Sequence, residues 1–256
     1  MDFSDYFINR ATCRRFSSRE VTDELLSSLV AMASHAPTTG NMQVCTVIVT
    51  RDPEARKELA AAHFNQPAAT GAPVLMTFCA DFNRMTQWCR ASDADAGYDN
   101  FQGFITALLD TVAFAQQFNT AAEMHGLGCC YFGTTTYTAP RIGELLKLPR
   151  LVVPVTTIAV GWPEGDSAEV GRLPLEAVMH YEHYNNVDDD AVRALYAEKE
   201  ARSDSRGFVA ENSKDNLAQV FTDVRYPRTM MEEFSDVYRN YIEAQGFQLG
   251  EIRKKC

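Results

Sequence analysis

Arg10, Thr12 and Arg14 alternate within Arg10-Ala-Thr-Cys-Arg-Arg-Phe16. In an extended stretch alternate side chains project to one side. Two guanidinium forks and a hydroxyl would then converge on one anion while Cys13 faces the protein, a combination suited to phosphate. A solvated basic patch is the competing reading. A second segment, Ala36-Pro-Thr-Thr-Gly-Asn-Met-Gln43, is a turn by composition. Thr38, Thr39, Asn41 and Gln43 could offer donors and acceptors to a polar ring edge or ribityl chain, or could simply connect a helix to a strand. A third, Gly126-Leu-Gly-Cys-Cys-Tyr-Phe-Gly133, supplies glycines that let a planar ring approach the backbone. A helix cap followed by a buried strand would also explain those glycines, but not the small-residue run Tyr131-Phe-Gly-Thr-Thr-Thr136. Taken together, the segments point to a flavin-type redox cofactor.

Regular elements must bring these segments together. Thr22 to Ser34 begins with a capping hydroxyl and acids, carries apolar residues at near-helical spacing, and reads as a helix ending before Pro37. Val44 to Thr50 and Cys129 to Phe132 read as strands, and Pro53 to His63 and Pro140 to Leu148 as helices. Pro73 to Ala80 is almost wholly apolar and should be a strand buried on both faces. Val152 to Gly161 reads as a central strand. Phe101 to His125 is apolar nearly all round, as expected of a helix in the middle of a core, and should stop at the glycines of Gly126-Leu-Gly128. This mixture implies an α+β sandwich. From about Asn185 the chain turns charged; Ser203 to Asn216 reads as a polar linker, and Met230 to Ala244 as a helix that wraps a second subunit or folds back on its own domain.

Composition narrows the function. The 256 residues are 46% hydrophobic and 23% charged, a globular balance. Twenty-four Lys and Arg against 34 Asp and Glu give a net charge of -10. That surplus argues against nucleic acid and against an anionic membrane surface. No stretch reaches the roughly 18 apolar residues of a membrane helix, and no signal peptide is visible. Seven cysteines without C-x-x-C spacing fit a reducing cytoplasm. Vicinal Cys129 and Cys130 read as packing side chains. His180 and His183 have metal-ligand spacing but no evident third ligand, so no metal is expected. Trp88 and Cys89 lie in a polar stretch that reads as a lid or a surface loop, and Trp162 reads as packing.

The order of the segments resembles the FMN-dependent nitroreductase family. Its R-x-S-x-R-x-F signature is matched by Arg10, Thr12, Arg14 and Phe16, with Thr in place of Ser. Its A-P-S-S-x-N-x-Q segment is matched by Ala36, Pro37, Thr38, Thr39, Asn41 and Gln43, and its G-L-G by Gly126 to Gly128. Ile158-Ala-Val-Gly-Trp-Pro163 with Arg172-Leu-Pro174 resembles its closing G-x-P and basic contact. Phe78-Cys-Ala-Asp-Phe-Asn-Arg84 and the long tail are similar to its larger, NADPH-preferring branch. The resemblance implies an α/β/α sandwich with a mainly antiparallel central sheet around a buried long helix. It implies a core domain over residues 1–184 and, over 185–256, an extension serving as dimer arm and substrate cap. It implies a homodimer with one FMN at each of two subunit interfaces. By position, Arg10, Thr12, Arg14 and Arg172 would hold the phosphate; Thr39, Asn41 and Gln66 would face the ribityl or ring; Tyr131, Phe132, Gly133 and Thr134 would lie along the isoalloxazine. The branch's lysine before the closing arginine is replaced by Glu169-Val170-Gly171. Arg206 is the nearest match to the arginine that grips the NADPH phosphate. NADPH or NADH would pass hydride to flavin N5, and a nitroaromatic, quinone or free flavin would then be reduced at the same face, giving ping-pong kinetics with no catalytic side chain. A relative specific for one metabolite, or a flavin-binding protein without turnover, are the alternatives.

Overall fold

The computed structural model describes residues 3–165, 167 and 171–250. It divides into two compact units, Met1–Ala168 with Phe234–Cys256, and Glu169–Glu233. These boundaries differ from the expected 1–184 and 185–256.

In the first unit, α1 (Phe3–Asn9) and α2 (Asp23–Ala33) precede β1 (Cys45–Thr50), α3 (Pro53–Ala62), α4 (Pro67–Gly71) and β2 (Val74–Asp81). Then come α5 (Asn83–Ala91), α6 (Phe101–Met124), β3 (Gly128–Phe132), α7 (Thr134–Tyr137), α8 (Ala139–Leu145) and β4 (Val152–Gly161). The helices begin where short polar side chains can satisfy free amide donors: Thr22 accepts from Leu25, Asp52 from Ala55 and Asn100 from Gly103. The sheet has four strands in the order β1-β2-β4-β3. Every pairing is antiparallel, with Val74 opposite Val160 and Gly128 opposite Gly161.

Every residue of β2 is buried, because helices cover both sheet faces. Met76, Phe78, Cys129, Ile158 and Val160 pack on one face with Leu26 and Leu29 of α2 and Phe114, Phe118 and Ala122 of α6. Leu75, Cys130, Phe132 and Ala159 pack on the other with Leu59, Ala68, Ala69 and Ile142 from α3, α4 and α8. The central sheet is thus an inner layer between helices. Phe78 and Phe118, with ring centroids 5.6 Å apart, sit where sheet and long helix meet; truncating either to alanine should cost about 3–5 kcal/mol.

The sheet does not surround α6. The helix lies on one face, with Leu109 60% and Val112 47% exposed, because a straight helix on a sheet buries only one stripe. Gly126, at φ 85°, takes the expected left-handed cap, whereas Gly128 is a strand residue. The small-residue run after Phe132 continues into the short helix α7. Trp88 and Cys89 lie on α5 rather than in a loop, Trp88 exposed and Cys89 buried. Trp162 packs as expected: Arg19 covers its ring at 3.4 Å and its Nε1 donates to the Glu20 carbonyl at 2.9 Å.

Part of the tail belongs to this unit. Ile242 and Phe247 are buried with Phe104, Leu151 and Val153, and Leu151 N–H donates to the Gln245 carbonyl at 2.8 Å. Residues 234–250 therefore fold back on their own core.

The second unit holds α9 (Asp189–Ala201), α10 (Ser203–Glu211), α11 (Leu217–Val220) and a π-turn over Phe221–Arg225. The expected polar linker over Ser203 to Asn216 is thus largely helical. Leu217, Val220 and Ser205 are buried there, while Leu175, Val178, Met179, Tyr181 and Tyr184 are exposed. The last helix, α12 (Arg228–Ala244), spans the unit boundary.

Candidate active site

The stretch carrying Arg10, Thr12 and Arg14 is irregular but pinned along its length. Cys13 is buried, and its N–H donates to the Cys129 carbonyl at 3.0 Å. A Cβ on Gly128 would fall 2.4 Å from that of Cys13, so glycine is what allows this backbone approach. Ser17 N–H donates to the Trp162 carbonyl at 2.8 Å and Glu164 N–H to the Arg15 carbonyl at 3.0 Å. The first and third sequence segments are therefore joined, and Cys13 faces inward as the alternation implies.

Thr12 and Arg14 line a cleft of about 250 Å³ with Cys13, Arg15, Glu164, Gly165 and Ser167. Arg10 does not line it. Its Nε and Nη2 each lie 3.1 Å from the two carboxylate oxygens of Glu123, to which Tyr6 also donates at 2.7 Å.

The turn after α2 is held from two sides. Thr39 N–H donates to both oxygens of Asp110 (3.0 and 3.2 Å), and the Thr39 hydroxyl donates to Oδ1 at 3.0 Å. Asp110 sits midway along α6 and is 4% exposed. On the other side, Arg84 donates to the carbonyls of Gln43 and Cys45, to Thr46 Oγ1 and to Asp81. Between these anchors Gly40 takes a φ of 57° that glycine adopts freely, whereas Asn41 and Gln43 have φ of 55° and 53°, conformations that tertiary contacts must maintain. Asn41 and Gln43 are exposed, and Gln43 Nε2 donates to Asn41 Oδ1 at 3.1 Å. Thr38 Oγ1 is buried without a partner.

Gln66 and Thr134, 68 residues apart, meet at 3.4 Å. His63 Nδ1 lies 2.9 Å from the same Thr134 hydroxyl, and its ring stacks on Phe132 at 4.7 Å. His63 is completely buried, and burial pushes its pKa down to about 4, so it is neutral near pH 7. The Phe132 side chain points into the second core layer, which leaves only its main chain to face a ligand. Tyr131 is half-buried and donates to Gln116 at 3.4 Å, while Gly133 is exposed with nothing within 4 Å of where a Cβ would stand. Burial pushes the Cys129 and Cys130 thiols up, away from the reactive thiolate.

Arg172 and Arg206 belong to the second unit. Arg172 is exposed and donates to the Gly171 carbonyl at 3.2 Å. Arg206 lines a cavity of about 830 Å³ with Lys199, Tyr196 and Phe221.

Asp110, Arg84, His63 and Glu123 were not singled out from sequence. Only Asp110 left a signal there, as an acid in the middle of a long apolar run.

These donors fit a phosphorylated flavin. Guanidiniums and a hydroxyl surround a small cleft suited to a dianion, carboxamides are fixed at Asn41, Gln43 and Gln66, and open space adjoins the Gly133 backbone.

The family model for the Nitroreductase family matches residues 8–162 of this chain. An FMN reductase [NAD(P)H] of Bacillus subtilis (strain 168) is 30% identical over 249 residues, covering 92% of this chain and 94% of that one. An oxygen-insensitive NADPH nitroreductase of Salmonella typhimurium is 29% identical over 234 residues, covering 91% and 93%. A solved structure from Bacteroides fragilis NCTC 9343 is 43% identical with a TM-score of 0.94, covering 95% and 99%.

Proposed function

Because this chain belongs to the nitroreductase family, we propose that it uses FMN to carry electrons from NADPH or NADH to a small acceptor: a nitroaromatic, a quinone or free flavin. The observation that carries this reading is the approach of Cys13 to Gly128 and Cys129. It sets a cationic cleft beside the strand that leads to the open backbone at Gly133.

When bound, FMN supplies the two-electron redox chemistry. The chain supplies position and charge. Thr12 and Arg14 hold the phosphate, with Arg10 paired to Glu123. Thr39, Asn41 and Gln66 face the ribityl or ring, and Tyr131, Phe132, Gly133 and Thr134 present main chain and hydroxyl along its plane. Neutral His63 orients the Thr134 hydroxyl without adding a cation. Arg206 grips the extra phosphate of NADPH.

The functional unit is a homodimer. Exposed Ile8, Leu109, Val112 and Met124 in the first unit, and Leu175, Val178, Tyr181 and Tyr184 in the second, are apolar surface that a second copy would cover.

The test is spectroscopic. Purified protein should show an oxidised flavin spectrum that anaerobic NADPH bleaches and a nitroarene restores. A flavin that never bleaches would mean binding without turnover. A colourless chain that takes up no FMN would reject the proposal.

A further inference from the structure

We propose that His63 is a positioning residue: it donates from Nδ1 to the Thr134 hydroxyl oxygen and so commits the Thr134 O–H to act as a donor toward the flavin. This deepens the flavin reading above and rests on it.

His63 directly follows α3, and Thr134 opens α7. The Thr138 hydroxyl ties the two ends together, 2.8 Å from the Ala62 carbonyl and 3.2 Å from the Thr134 carbonyl. The imidazole is completely buried and stacked on Phe132, with ring centroids 4.7 Å apart and planes 23° from parallel, which fixes the plane of the ring. Nδ1 lies 2.9 Å from Thr134 Oγ1, while Nε2 is buried without a partner among the described residues.

The buried ring is neutral, so one nitrogen carries the single proton and the other is bare. A proton on Nε2 would be an N–H enclosed in the core with no acceptor, an arrangement native proteins rarely keep. A proton on Nδ1 makes the bond to Thr134 and leaves only a bare lone pair at Nε2. The Thr134 oxygen then accepts from His63 on one side and from Gln66 Nε2, at 3.4 Å, on the other. A hydroxyl has two lone pairs and one proton. With both lone pairs occupied, only the proton is left, and it must point away from both donors. Thr134 is half-buried beside Gly133, where nothing stands within 4 Å of a Cβ position, so that proton is open to a ligand. A fixed donor at the ring favours reduced flavin, whose heteroatoms carry more negative charge.

Two measurements test this. In flavin-free protein carrying isotope-labelled histidine, long-range proton–nitrogen correlation distinguishes a protonated from a bare ring nitrogen. The His63 signals, identified by their loss in His63→Gln, should report Nδ1–H. In FMN-loaded protein the midpoint potential is read by equilibration with a redox dye. Thr134→Val and His63→Leu should each reduce the preference for reduced over oxidised FMN about tenfold, a fall of about 30 mV for a two-electron couple. Thr134→Ser keeps the hydroxyl and His63→Gln keeps a donor to it, so both should stay within about twofold of wild type. A packing role alone would lower the thermal midpoint of His63→Leu and leave the potential unchanged. That outcome, or an Nε2–H signal, overturns the inference while bound, reducible FMN leaves the proposed function standing. Should His63→Leu fail to fold, Thr134→Val and the tautomer signal decide. If wild type takes up no FMN, this inference and the proposed function fall together.

Discussion

The contact between Thr39 and Asp110 can be tested with nearly isosteric changes. Asp110 is 4% exposed and accepts two donors from one residue, the Thr39 N–H shared between its oxygens and the Thr39 hydroxyl at 3.0 Å. Thr39→Val keeps the shape and the N–H bond and removes only the hydroxyl. A hydrogen bond to a charged group is worth about 1.5–3 kcal/mol. Thr39 itself is exposed, so water can replace part of the loss, and about 1–2 kcal/mol is expected. For a chain this long that is a fall of roughly 2–8 °C in thermal midpoint. Thr39→Ser retains the hydroxyl and should lie close to wild type. FMN affinity should fall with Thr39→Val, since Asn41 and Gln43, held at positive φ, depend on this anchor. The decisive comparison is a double-mutant cycle by thermal unfolding. In an Asp110→Asn background the acceptor is no longer charged, and Thr39→Val should then cost about 1 kcal/mol less. A coupling below about 0.5 kcal/mol, the scatter of independent sites, would refute the claim that this bond holds the turn.

Three further predictions follow from single contacts. His63 titrates near 4 when folded, against an ordinary 6.5, so between those values the unfolded chain binds more protons and stability falls as pH drops; the whole effect is roughly 3 kcal/mol. His63→Gln, which can still bond Thr134, should flatten midpoint against pH in that window, and an unchanged slope would assign the acid loss to other groups. Gly128→Ala would put a Cβ 2.4 Å from that of Cys13 and should cost about 1–3 kcal/mol by overpacking, with weaker FMN binding measured by fluorescence; wild-type stability would contradict the close approach. Arg206→Ala should raise the KM for NADPH several-fold more than that for NADH, the difference of about 1 kcal/mol expected for an exposed phosphate contact, and equal changes for both would remove Arg206 from that role.

What the sequence made legible follows from range. The patterns read correctly were local: the almost wholly apolar run Val74 to Ala80 in β2, the capping hydroxyl of Thr22, the long apolar run of α6 and the glycine that ends it. Each depends on neighbours within a few positions. The errors have the opposite character. The threonines of α7 are indifferent helix formers, yet the helix stands because Thr138 donates to the Ala62 carbonyl and Thr135 to the Phe132 carbonyl. The exposed side of α6 was read as buried because apolar composition does not say which stripe meets the sheet. The same limit governs the candidate site. Alternation at residues 10, 12 and 14 puts three side chains on one side of an extended segment. It cannot show that Arg10 will meet Glu123, 113 residues away, or that Arg15 will rest beside Gly165. A motif therefore marks the segment that approaches a ligand, while the partners available elsewhere in the fold decide how each of its side chains is held.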